Sequence, residues 1–168
     1  MNNFKKIFIT FLSALILTVV NTSSSFAKVE GDTIVLGAAV SLTGKYSSNG
    51  VHTQNGYNLA VERINSMGGV KVKGKNYKFK IIYYDDESNS GRAAQLAERL
   101  IKQDGVQYML GPYSSGLTKA MAPVTEKYKI PMVEANGASR SLFTKGYKYL
   151  FAVLAPANLY LDVAIDLA

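Results

Sequence analysis

Cysteine is absent from all 168 residues, so neither a disulfide framework nor a thiolate metal site can be built. Histidine occurs once, at His52, which leaves a serine nucleophile without the base it normally needs. The stretch Gly111-Pro112-Tyr113-Ser114-Ser115-Gly116 also lacks the G-x-S-x-G spacing of a strained nucleophile turn. Hydrolase chemistry is poorly supported, and His52 reads as a surface or cap-region residue. The net charge is +7, yet Lys and Arg form no block. Their densest stretch, Lys71 to Lys80, alternates with Val, Tyr and Phe as a strand with one wet face would. That pattern does not imply nucleic acid.

The amino end also lacks an apolar run of the roughly 18 to 20 residues that a membrane-spanning helix needs. What stands there is shorter: Lys5 and Lys6, then Ile7 to Val20, apolar apart from Thr10, Ser13 and Thr18. This is the charged and apolar arrangement of a secretory signal peptide over residues 1–27. Ser25-Phe26-Ala27 puts small residues at the two positions read at cleavage, which predicts a cut before Lys28 and a chain that works outside the cytoplasm. A lipid anchor requires a cysteine directly after the signal, so soluble release into a periplasm is expected. Residues 28–168 are enough for one domain with a single core.

Along that remainder, strand-like and helix-like patterns alternate. Thr33 to Leu42 is an apolar run of strand length, broken at Thr43-Gly44 by a polar loop through Gly50. From Val51 to Met67, Gly56, Ala60, Ile64 and Met67 follow helical spacing, and Gly68-Gly69 supplies a stop. Lys71 to Lys75 reads as a hairpin around Gly74, and Tyr77 to Tyr84 as a strand ending at Asp85-Asp86. Ser88, Asn89 or Ser90 can cap a helix with Ala93, Ala97, Leu100 and Ile101 inward. Val106 to Leu110 is a third strand. Leu117, Met121, Val124 and Tyr128 make another helical stripe, with Pro123 expected to kink it. Pro131 to Ala135 and Tyr147 to Leu154 complete the strands. Units of about 30 residues in this order predict an α/β fold, a parallel sheet flanked by helices.

In such sheets ligands bind outside the carboxyl ends of the strands. The loops that matter are therefore Thr43 to Gly50, Asp85 to Ser90, Pro112 to Gly116 and Asn136 to Ser141. Asp85-Asp86-Glu87 could hold a divalent cation, but adjacent residues on extended chain point to opposite faces. The expected arrangement is structural, with one aspartate capping the next helix and the other solvated. Tyr113, Ser114 and Ser115 precede a helix, where hydroxyls and free N–H groups suit a small anion. Asn136, Gly137, Ala138 and Ser139 offer the same chemistry after the next strand. Two such loops after neighbouring strands point to binding rather than catalysis.

Ser41-Leu42-Thr43-Gly44 with Gly50, Gly56-Tyr57 through Gly68-Gly69, Tyr84-Asp85-Asp86, Leu110 through Ser115, Lys129 through Val133, and Phe143 through Tyr147 stand in one order. Together they resemble the amino-terminal lobe of the type I periplasmic binding proteins of the leucine/isoleucine/valine class, over essentially all of residues 28–168. The resemblance implies a non-enzymatic substrate-binding component of an ABC transporter. Two lobes close on an amino acid or related small carboxylate or amide, a membrane permease is the partner, and no cofactor or metal is used. It implies that Ser115, Gly137 and Ser139 hold the ligand, with Asn49 standing where an aromatic is common. Residues 28–156 would be the ligand-binding lobe with its first crossing, and 157–168 the start of a second lobe, cut short. The first lobe would also receive chain returning from beyond the crossing, so exposed apolar surface is expected. An extracellular sensing lobe of a receptor would share the same pocket.

Overall fold

The computed structural model describes residues 28–161 and 165; the expected signal peptide lies outside them. The chain opens with β1 (Val29–Glu30) and β2 (Thr33–Val40), then α1 (Ser47–Ser66). A hairpin of β3 (Val70–Val72) and β4 (Lys75–Asp85) leads to α2 (Ser90–Lys102), β5 (Met109–Leu110), α3 (Ser115–Tyr128), β6 (Met132–Glu134) and β7 (Leu150–Ala152). Short 3₁₀ turns stand at Arg140–Leu142 and Ala157–Leu159.

The sheet order is β3-β4-β2-β5-β6-β7, with β1 also on β2. The five strands β4, β2, β5, β6 and β7 run parallel, while β1 and β3 pair antiparallel. From β2 the chain builds outward to β4, then crosses back to β5 and continues the other way through β6 and β7. The order therefore reverses between β2 and β5, and the crevice at their carboxyl ends is where this architecture places ligands. The expected α/β fold with a parallel sheet is what the chain adopts.

The core lies between the sheet and the pair α2 and α3. Val35 and Ala39 of β2 face Ala93, Ala97 and Leu100 of α2, and Leu117 and Met121 of α3 join Met109, Met132 and Leu150. Each such large side chain removed from water contributes about 1.5 to 3 kcal/mol. Asn89 caps α2 by accepting from the Arg92 N–H at 2.9 Å. Pro123 does not break α3, which runs unbroken with that residue on its exposed side. The missing N–H bond of proline is least costly on a helix face that water reaches.

The other sheet face is covered unevenly. α1 lies over β2 and β4 and brings in Gly50, Thr53, Tyr57 and Ile64, so the anticipated stripe through Gly56, Ala60 and Met67 is not its inward face. Small and polar residues serve there because α1 comes very close: a Cβ on Gly50 would stand 1.8 Å from the Ser41 carbonyl oxygen. Asn65 completes the contact by bonding both the N–H and the C=O of Phe79, each at 2.8 Å, along the edge of β4. Beyond the reach of α1, Ile34, Leu36, Phe79, Tyr108, Leu110 and Val133 line an apolar groove of about 340 Å³.

Candidate functional site

Two groups of loops meet along the carboxyl edge of the sheet. At the ends of β2 and β4 the expected division of labour between Asp85 and Asp86 is not what forms. Asp85 Oδ1 accepts from the N–H groups of Leu42, Thr43 and Glu87, and Oδ2 from the Thr43 hydroxyl at 2.7 Å. Against desolvation, the largest single influence, these donors together hold its carboxyl below the usual range. Asp86 is fully buried rather than solvated. Its Oδ1 accepts from the Ser41 hydroxyl at 2.6 Å and the Ser88 N–H at 2.8 Å, and burial pushes its carboxyl up. Neither aspartate caps α2, because Asn89 is closer to its first turn. Both instead bind the loop after β2, and Ser88 closes the joint by donating to Thr43 C=O and accepting from the Tyr46 N–H.

At the ends of β5 and β6 the serine-bearing loops come together. Ser114 is the N-cap of α3, its Oγ facing the Leu117 N–H at 3.4 Å, and its backbone is held at φ 81°, ψ 143°. That region is nearly restricted to glycine and costs about 1 to 3 kcal/mol. Ser115 Oγ accepts from the Ser139 N–H at 3.0 Å, so two of the expected ligand-binding serines are joined across the loops. The Ser139 and Ser141 hydroxyls are 2.9 Å apart. Ala138 C=O accepts from the Ala157 N–H at 2.8 Å, fastening this loop to the chain after β7.

Beneath both loops lies Glu134, fully buried at the end of β6. Its Oε1 accepts from the N–H groups of Asn136 and Gly137, and its Oε2 lies 2.6 Å from Thr118 Oγ1. The N–H of Gly137 is thus turned toward Glu134, away from any ligand above. Gly111 makes room for this carboxyl, since a Cβ there would sit 2.1 Å from Glu134 Oε2.

Asn49, His52, Thr53, Gly56 and Tyr57 from α1 and Tyr113, Ala135 and Asn136 from the two strand-end loops line a cavity of about 400 Å³. The size suits a small organic molecule. Of the residues read from the sequence, Asn49, Tyr113 and Asn136 line it. Ser114, Ser115, Gly137, Ala138 and Ser139 lie one to three positions further along the same loops. His52 is exposed near the start of α1, as expected of a surface or cap-region residue, and also belongs to the lining. Tyr57 is a lining residue that carries no site signal of its own in the sequence; its hydroxyl donates to Gly111 C=O at 2.8 Å, and burial, with Glu134 nearby, pushes its phenol up. The edge-to-face stack of Tyr46 on Tyr113, 5.6 Å between centroids, braces the cavity wall. No group of three or more His, Asp or Glu able to hold a metal ion occurs among the described residues. No helix among them is long and apolar enough to cross a membrane.

Comparison with known proteins gives this arrangement a context. The family model for periplasmic binding proteins matches residues 33–166. The chain is 26% identical over 133 residues to a leucine-, isoleucine-, valine-, threonine- and alanine-binding protein of Pseudomonas aeruginosa, covering 79% of this chain and 34% of that protein. It is 27% identical over 151 residues to a Leu/Ile/Val-binding protein homologue of Brucella suis, covering 90% and 36%. Among solved structures it is similar to the branched-chain amino acid transporter substrate-binding protein of Streptococcus pneumoniae in complex with isoleucine, at 28% identity, TM-score 0.67, and coverage of 80% and 39%. A solute-binding protein of R. palustris in complex with 4-hydroxybenzoate matches at 31% identity, TM-score 0.59, and coverage of 72% and 31%. The chain spans about a third of the length of these relatives.

Proposed function

The chain belongs to the periplasmic binding protein family, and on that premise we propose that it is an exported solute-binding protein of an ABC transporter. Its ligand is an amino acid or a similar small carboxylate. The observation that carries this reading is the cavity at the reversal of strand order, walled by α1 and by the Tyr113 and Asn136 loops. Around it, hydroxyls and first-turn N–H groups of α3 supply donors of the kind a carboxylate takes. Both sorts of ligand named for its relatives, a branched-chain amino acid and a hydroxybenzoate, carry that group.

The rest of the reading follows the same premise. The first 27 residues direct export, release is soluble because no cysteine follows the cleavage point, and the liganded form meets a membrane permease. Residues 28–156 form the ligand-binding lobe, and the following residues begin a second one that closes on the ligand.

Calorimetry on the full-length gene product with L-leucine, L-isoleucine, 4-hydroxybenzoate and the corresponding amides is the test. Heat from at least one carboxylate and none from its amide is expected, and silence from the whole panel would overturn the reading. Ser115→Ala should weaken the responding ligand by about 1 to 3 kcal/mol if its hydroxyl meets a buried carboxylate.

A further inference from the structure

Thr118 carries one hydroxyl proton, yet two oxygens are within reach of its Oγ1. Ser114 C=O lies 2.9 Å away and Glu134 Oε2 2.6 Å away. One proton cannot be donated to both. Glu134 is also fully enclosed, and its other oxygen faces the two loop N–H groups. The groups packed on it from other elements are Thr118 of α3, Tyr57 of α1 and the Gly111 backbone after β5; none is a cation. A buried carboxylate without a counter-charge is costly and takes up a proton instead. A proton on Oε2 resolves the network. It is donated to Thr118 Oγ1, and the Thr118 proton passes to Ser114 C=O, the residue four positions earlier in the same helix.

We propose that Glu134 is the positioning residue of the cavity and acts as a neutral carboxylic acid, tying Asn136 and Gly137 of one loop to Ser114 of the other through Thr118. An anionic ligand group then meets no fixed negative charge beneath the cavity, and no carboxylate lines the cavity itself among the described residues. The site selects acids over their amides for that reason. This ligand preference rests on the solute-binding reading; the protonation and the tie between loops do not. Burial lifts the Glu134 carboxyl above its ordinary value, against the opposing influence of Thr118 and the loop N–H groups. The titratable side chains of the cavity lining are Tyr57, which feels the Glu134 carboxyl, and His52 and Tyr113.

The test uses the full chain labelled with ¹³C at glutamate carboxyls, with the Glu134 resonance assigned by its loss in Glu134→Gln. At pH 7 that resonance should stand at the carboxylic-acid position while the exposed glutamates show carboxylates; a carboxylate resonance there overturns the proposal. Glu134→Gln keeps an acceptor toward the loop N–H groups and a donor toward Thr118. It should leave the backbone amide signals of Ser114, Asn136 and Gly137 in place and hold affinity for L-isoleucine or 4-hydroxybenzoate within about threefold. Glu134→Ala should displace all three signals and weaken the acid that binds by about tenfold or more. Equal displacement by both variants would also overturn the tie. Should Glu134→Ala fail to fold, the wild-type resonance and the glutamine variant decide the matter. If neither acid binds the wild type while the resonance and amide pattern hold, the ligand assignment fails and the positioning role stands.

Discussion

Where β2 and β4 end, Asp85 and Asp86 reach out to the neighbouring strand's loop and take donors from it, and the Asp85 carboxyl remains partly open to water. Where β5 and β6 end, Glu134 turns back on its own loop and is sealed beneath it. The two halves of one sheet edge thus use the same functional group for opposite ends. In the first, the two carboxyls take up the donors of the loop after β2. In the second, one buried carboxyl draws the N–H groups of Asn136 and Gly137 inward, so the side chains above them form the wall of a cavity. A strand-end acid in this fold is an anchor, and whether a pocket results depends on whose backbone it holds.

The sharpest way to break this comparison is to remove each anchor in turn. Glu134→Ala should cost about 3 to 5 kcal/mol in urea unfolding, because two buried N–H donors lose their acceptor and a void opens. Asp85→Ala should cost only about 1 to 2 kcal/mol, since water can reach the donors it abandons. Equal costs would mean that the two halves are anchored alike. Ser114→Gly should instead stabilise the fold by about 1 kcal/mol, relieving the backbone at φ 81° while losing only a few tenths from the cap. A fall in melting temperature would show that the cap outweighs the strain.

The smallest effects lie in the pH dependence, where the two kinds of anchor have opposite signs. The Asp85 carboxyl is depressed in the folded state, so its stabilising contribution is present above the unfolded value of about 3.9 and is lost as pH falls through the folded value. The carboxyls of Asp86 and Glu134 are raised, so theirs is present below the unfolded value and is lost as pH rises through the folded one. Asp85→Asn should flatten the acid limb of a melting-temperature profile, whereas Asp86→Asn should flatten the limb above about pH 4. Interchanged limbs would reverse the assignment.

Much of this edge was legible in the sequence for a simple reason. Apolar runs of strand length and glycine stops mark where strands end, and ligand loops follow from strand ends. Ser114 and Ser115 before a helix, and Asn136 after a strand, carry their chemistry openly. Glu134 does not, because one glutamate at a strand's last position reads as the wet side of an edge. The available signal was indirect: Gly111 and Gly137 both leave space that this side chain fills, with a Cβ at Gly137 only 3.1 Å from Glu134 Cδ. α1 departs from its sequence pattern for the opposite reason. Leu59 and Met67 stay exposed, while close approach at Gly50 selects Thr53 and Tyr57 to join Ile64 on the inward face. The groove beside Val133 and Leu110 leaves apolar side chains facing outward beyond the reach of α1.

One more property resides in α3. Fourteen residues of helix make a rod about 21 Å long, and both of its ends are fastened. At one end Ser115 holds the Ser139 loop. At the other the Glu126 carboxylate accepts from the N–H groups of Lys148 and Tyr149, at 2.9 and 3.0 Å, just before β7. The Ser139 loop and the start of β7 are therefore two ends of one lever. A torque applied at either must reach the other or break a fastening.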